Sequence, residues 1–286
     1  MQIAVKNTLP SLAKSISAGT IWKYRQATAA KRCLPDLIIV GAQKSGTTSL
    51  YAYLKRHPQI VPAFKKEVHF FDGGLSPDEN SYNKGEMWYR SHFPLRTKVN
   101  ANQITFEASP LYLFNPLAAQ RLASLVPATK IIVLLRSPTE RAISHYFHER
   151  RKKREPLTIG EAMQAEEARL QPAVKARDYK NEAFIRYSYK TRGLYCEQLK
   201  RYFLSFPQQQ LLVMSAEYLF NEPIHCLRRV YSFVGVDPEF QAADFKPKNT
   251  GSNREKVPSD VYRYLERFFE APNRDLFRML GQTFDW

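Results

Sequence analysis

The sequence predicts an α/β fold, a single domain with a central parallel sheet flanked by helices. Three observations carry that expectation. Apolar runs at residues 37–40 (LIIV) and 130–135 (KIIVLL) are near-continuous rather than alternating, as in strands covered on both faces. Strand-like runs then alternate with stretches of helical periodicity, the order of a parallel sheet with crossover helices. No internal repeat, low-complexity tract or interdomain linker divides the 286 residues, a length one α/β domain can reach.

Residues 1–35 hold six Lys or Arg and no acid, and read as a basic N-terminal extension. Ile16, Ile21, Trp22 and Tyr24 give a loose helix one apolar side, which either packs on the domain, stays partly disordered, or makes a peripheral membrane contact. The domain is expected over residues 36–286. Its first strand, 37–40, breaks at Gly41, and a helix enters at Gly46 and ends near Pro58. Residues 59–63 form a short extended lead into KKEVHFFDGG, where an extended backbone places Glu67 and His69 on one side. Residues 75–100 read as loop and short helix, 103–107 as a strand and 116–125 as a helix. The apolar strand 130–135 ends in a turn, with Pro138 in the first turn of a helix that runs into the basic stretch 150–154. Helices at 158–170 and 181–206, a strand at 210–214, and helices at 223–234 and about 260–270 complete the order.

The formal charge of +16 (43 Lys+Arg against 27 Asp+Glu) implies anionic partners without choosing among nucleotides, nucleic acid, acidic glycans or a membrane surface. Three cysteines, Cys33, Cys196 and Cys226, have no close metal spacing and an odd count, the usage of a reduced compartment. No apolar run approaches the ~20 residues of a membrane span, and no signal-peptide core of ~7–15 apolar residues opens the chain. A cytoplasmic, bacterial location is expected, with a Golgi lumen the alternative if an N-terminal anchor has been removed. A basic nucleic-acid-binding protein is the remote alternative that the charge of +16 allows, although no nucleic-acid-binding module is recognisable.

The stretch 41–49 (GAQKSGTTS) is a phosphate cradle. A strand, a glycine-bounded loop and a helix N-terminus aim the N–H groups of Gly46, Thr47 and Thr48 at an anion, Lys44 adds a cation, and Thr47, Thr48 and Ser49 add hydroxyls. Gly41 and Gly46 have P-loop spacing, yet Thr47 stands where that motif has Lys, and Lys44 lies earlier in the loop, which argues against an ordinary ATPase; a nucleotide kinase, which would need Mg²⁺ and ATP, is the rival enzyme class. After the strand at 130–135, Arg136 and Ser144 sit at the mouth of a helix and about two turns into it. A guanidinium fork and a hydroxyl there suit a second phosphate.

The cradle, including Gln43 and Ser45, resembles the 5′-phosphosulfate loop of sulfotransferases that use 3′-phosphoadenylyl sulfate (PAPS). LLRSPTERAISHY is similar to their 3′-phosphate segment, and KEVHFFDG to the segment that carries the catalytic glutamate in heparan sulfate N- and O-sulfotransferases. GEMWYRSHFP and the final FFEAPNRDLFRMLGQTFDW resemble further parts of that family, the latter its 3-O-sulfotransferases. The resemblance covers residues 35–286. It implies a P-loop-like sulfotransferase fold, PAPS as donor with PAP as product, and no metal. The acceptor it implies is a carbohydrate hydroxyl or amine, with a small-molecule or lipid alcohol as the alternative. Sulfuryl transfer needs a base at the acceptor and cations at the leaving phosphate. Glu67 fills the first role with His69 orienting it or the acceptor, and Lys44 the second. Lys66 is a candidate to bind an acidic acceptor, as are Arg151 and Arg192 among the basic residues of 150–154 and 186–192.

Two departures stand out. Ala108 follows Glu107 in EASP, where the family has an EKTP-like segment with Lys. The family's late Lys-Gly-Arg loop is matched loosely by Lys248, Gly251, Ser252 and Arg254, without its flanking cysteine pair.

Overall fold

A computed structural model of the chain describes residues 11–241 and 257–286. The order is α1 (Ser11–Ala27), β1 (Leu37–Gly41), α2 (Thr47–Leu54), β2 (Ile60–Pro62), α3 (Gly85–Arg90), β3 (Ile104–Ala108), α4 (Ala118–Leu125), β4 (Lys130–Leu135), α5 (Pro138–Arg151), α6 (Ile159–Ala176), α7 (Glu182–Arg186), α8 (Tyr195–Ser205), β5 (Leu211–Ser215), α9 (Ala216–Asn221), α10 (Pro223–Val234) and α11 (Ser259–Leu280). The five strands are parallel in the order β2-β3-β1-β4-β5. No described helix is long and apolar enough to cross a membrane.

The alternation of side chains explains the continuous apolar runs. Ile38 and Val40 of β1, Ile131, Val133 and Leu135 of β4, and Leu211 and Val213 of β5 enter one core with Leu122 of α4, Leu199 of α8 and Leu276 of α11. Leu37, Ile39, Ile132, Leu134, Leu212 and Met214 point the other way, onto Leu50 of α2 and Leu227 of α10. Both faces are covered, so neither needs polar residues.

The order also positions the site. From β1 the chain crosses to the edge strand β2, comes back to lay β3 between β2 and β1, and then places β4 on the other side of β1. Ligands bind in parallel sheets beyond the strand carboxyl ends, where the winding direction reverses. Here that point lies between β1 and β4, and the N–H of Ala42 reaches the carbonyl of Leu134 at 2.7 Å. The cradle and Arg136 are therefore neighbours although far apart in sequence.

Four elements depart from the sequence expectations. The lead segment is a fifth strand: β2 pairs with β3 at the sheet edge, with Pro62 at its end. The single helix expected over 181–206 is broken between α7 and α8, because the buried carboxylate of Glu166 accepts the N–H groups of Lys190 (2.5 Å) and Thr191 (2.8 Å) and holds a turn there. The final helix continues past Pro272, carried by a buried stripe of Val261, Leu265, Phe269 and Leu276 that outweighs the lost hydrogen bond. Helix α9, capped by the Ser215 hydroxyl at 3.0 Å from the N–H of Tyr218, was not anticipated.

In the described part of the basic extension, Trp22 lies 4.8 Å from the His92 ring, and Arg25 donates to the carbonyls of Ser91 (2.7 Å) and Phe93 (2.8 Å).

Candidate active site

Gly46 ends the cradle with φ +85°, a conformation open to glycine, and α2 starts on the next residue. Ser49 and Leu50 donate back to the Gly46 carbonyl at 2.9 and 3.1 Å, closing the first turn. The N–H groups of Gly46, Thr47 and Thr48 make no backbone hydrogen bond among the described residues, as at the start of any helix, and are available to an anion. Lys44 also takes a positive φ of 73°, strain of the kind concentrated at ligand sites. Burial, with the charges of Arg151, Arg136, Lys152 and Arg141, lowers its ammonium to about 8. That excess of positive charge over donors without acceptors fits an anionic phosphosulfate group. Replacing Gly46 with Ala forces an L-residue into the left-handed region, at about 1–2 kcal/mol, and turns the Phe220 ring aside from a Cβ that would lie 2.7 Å from it. A lowered thermal midpoint and weaker PAP binding by calorimetry are the expected result.

Arg136 sits in the turn after β4, with one guanidinium nitrogen 3.3 Å from the Lys44 carbonyl and another 2.9 Å from the Glu140 carboxylate. It joins the two predicted phosphate sites. Ser144 is half-buried in the middle of α5, and Pro138 opens that helix under the Ser137 cap.

The segment carrying Glu67 is not extended as expected. Glu67 and His69 both have positive φ (60° and 55°), with buried Val68 between them. The two side chains still meet, with His69 Nε2 3.5 Å from Glu67 Oε2, because two left-handed residues turn the backbone twice. The segment is docked on the sheet rim: the Glu67 N–H donates to the Ala108 carbonyl at 3.0 Å and the His69 N–H to Ser109 Oγ at 3.2 Å. Strand β3 pairs with β1, so Glu67 stands one strand from the cradle, and Lys66 Nζ lies 6.0 Å from the Tyr51 ring on α2.

Sequence reasoning left Asp72 without a role. Its buried carboxylate bonds His69 Nδ1 at 2.6 Å and accepts the Gly74 N–H at 3.0 Å. The signal was a carboxylate three residues after a histidine beside two glycines. The result is a line, Asp72 to His69 to Glu67. Burial opposes the imidazolium, but the charges and bonds of Asp72 and Glu67 raise His69 to about 9. Burial would raise Glu67, yet the bonds from His69 and Lys66 and their charges hold it down at about 2. The pair is carboxylate and imidazolium across the neutral range.

Glu107 lies fully buried behind this line, accepting from Tyr89 Oη (2.6 Å), Ser109 Oγ (2.8 Å) and Tyr112 Oη (3.2 Å). Burial outweighs those bonds and raises its carboxyl to about 7. Ala108 beside it is buried too, so no side-chain cation occupies that position.

The acceptor-side expectations divide. Lys66 does lie at Glu67, paired to its Oε1. Arg151 is exposed at the end of α5 and is the leading charged neighbour of Lys44. Arg192 does not line an open cleft. It is buried over the Phe114 ring (4.9 Å), donating to Ser188 Oγ at 2.7 Å, to the carbonyls of Phe184 and Ile185, and to the side chain of Gln43. The break between α7 and α8 turns it inward, where it props the cradle. Gln43 is thereby engaged by protein, and Ser45 is buried beneath the loop. Lys248, Gly251, Ser252 and Arg254 lie outside the described residues. Among those described, no group of three or more His, Cys, Asp or Glu could hold a metal ion.

A covered parallel sheet with a glycine-bounded loop at its switch point and an arginine at the next strand end defines an α/β protein with a P-loop-like fold. The chain belongs to the sulfotransferase domain family, whose profile matches residues 34–256. It is 31% identical to heparan sulfate glucosamine 3-O-sulfotransferase 3B1 of Mus musculus over 90% of this chain and 66% of that enzyme. It is 27% identical to membrane-associated sulfotransferase kil1 of Dictyostelium discoideum over 89% of this chain and 67% of that protein. The chain thus spans about two thirds of these curated relatives. Among solved structures, a sulfotransferase from Alicyclobacillus acidocaldarius superposes with a TM-score of 0.71 at 31% identity, covering 88% of this chain and 98% of that one.

Proposed function

We propose that the protein transfers a sulfuryl group from PAPS to a hydroxyl or amine of a glycan by direct in-line displacement, with Glu67 as base. The observation that carries this reading is the hydrogen-bonded Asp72–His69–Glu67 line docked one strand from the Lys44 cradle, on one rim of one sheet. PAPS supplies the activated sulfuryl group. The N–H groups of Gly46, Thr47 and Thr48 would hold its 5′-phosphate, and Arg136 and Ser144 its 3′-phosphate. Lys44 neutralises charge growing on the bridging oxygen as the S–O bond breaks. Glu67 Oε1 is engaged by Lys66 and Oε2 faces His69. Each oxygen keeps a further lone pair, so an acceptor hydroxyl can reach the part-exposed carboxylate beside Lys66, and that ammonium can also pair with an acidic group on the glycan. Relatives named as heparan sulfate sulfotransferases support the glycan class. Ala108, standing where those enzymes resemble one another in Lys, favours the second reading, an uncharged small or lipid alcohol.

A transfer screen with ³⁵S-labelled PAPS tests both. Label on an acidic polysaccharide, persisting in EDTA, is the expected result. Label confined to a panel of simple alcohols would establish the second acceptor class, and label on none of them would end both readings.

A further inference from the structure

Arg136 does not stand on α5. It occupies the turn before it, so its backbone must be held from outside the helix. Tyr195 Oη donates to the Arg136 carbonyl at 2.9 Å. The next N–H, of Ser137, donates to Glu217 Oε1 at 3.3 Å. Both bonds grip one peptide unit, the first at its C=O and the second at its N–H. Both side chains meet a third residue. Trp286 Nε1 donates to Glu217 Oε2 at 3.2 Å, and the Trp286 ring lies 5.9 Å from the Tyr195 ring. Trp286 is itself stacked on Phe284 at 4.8 Å and packed on Phe277 at 5.6 Å. A carboxylate beside a phosphate site repels the ligand, so Glu217 helps there by geometry rather than by charge. Its two oxygens reach the Arg136–Ser137 peptide and the indole.

We propose that Trp286 is a positioning residue for recognition of the donor's 3′-phosphate. Through Glu217 and Tyr195 it fixes the Arg136–Ser137 peptide, and with it the direction in which the Arg136 guanidinium leaves the turn. The inference rests on the reading of the donor as PAPS.

The test is calorimetric titration of the full chain with PAP and with AMP, which lacks the 3′-phosphate. Trp286→Phe keeps an aromatic ring and removes the N–H donor. Tyr195→Phe cuts the bond to the other end of the same peptide and reads the same clamp should the first variant fold poorly. Each is expected to weaken PAP roughly fivefold, the value of one hydrogen bond, and to weaken AMP clearly less, so the preference for the 3′-phosphate falls. Equal weakening of both nucleotides would mean general loosening and overturn the proposal, as would an unchanged preference in both variants. Wild-type protein with no preference for PAP over AMP would instead remove the donor reading itself.

Discussion

Glu67→Gln is expected to lower sulfuryl transfer by about 10²- to 10⁴-fold, the usual contribution of a positioned base, while PAP binds as tightly as to the wild type. The separation follows from the architecture. Glu67 is carried by a segment docked on β3, whereas the cradle and Arg136 grow from β1 and β4. The amide keeps the shape and an acceptor oxygen but cannot take a proton. It also removes a carboxylate from His69, which is raised to about 9 by Asp72 and Glu67 together, so the imidazole of the variant should titrate lower by NMR. Transfer at near-normal rate with an intact His69 shift would take the base role away from Glu67. Loss of PAP affinity would show that donor and acceptor halves are coupled in a way the docking does not suggest.

The donor half proposed for this site is the more legible in the sequence because it is local. A strand, a glycine-bounded loop and a helix start occupy 41–49, and Arg136 follows an unmistakable buried strand; contiguous chemistry of that kind needs only the fold class to be placed. The acceptor half was legible in its residue types and not in its geometry. Glu67 and His69 meet through two left-handed backbone positions, which no periodicity announces, and the extended reading reached the right pairing for the wrong reason. Asp72 went unassigned since its role depends on a side-chain bond across three residues. Arg192 was misplaced because a charge on an expected helix reads as surface. Glu166, 26 positions earlier in the chain, breaks that helix and turns the guanidinium inward. The Tyr195, Glu217 and Trp286 clamp joins three distant segments, and only tertiary packing shows it.

Lys44→Ala is expected to cost about 10²- to 10³-fold in turnover, comparable to removing one preorganised donor from a charge-stabilising site, together with a smaller loss in PAP affinity. The larger effect falls on turnover because charge on the bridging oxygen grows as the S–O bond breaks, so the ammonium matters more in the transition state than in the bound ground state. The pH dependence gives a second handle. Burial, Arg151, Arg136 and Lys152 lower Lys44 to about 8 in the free protein, and the cation is the active form. Hence kcat/KM should fall as pH rises through about 8. A bound phosphate favours the cation, so the matching limb of kcat should lie at higher pH. Lys44→Arg keeps the charge at every accessible pH and should move the kcat/KM limb upward, at some cost in rate because a planar guanidinium does not reproduce a point charge. His69, raised to about 9, and Arg192, lowered by burial and then Arg141 to about 9, are other groups able to titrate on this side. A limb that stays near 8 in Lys44→Arg would assign the titration elsewhere, and a Lys44→Ala loss confined to PAP affinity would leave Lys44 as a binding cation without a transition-state role.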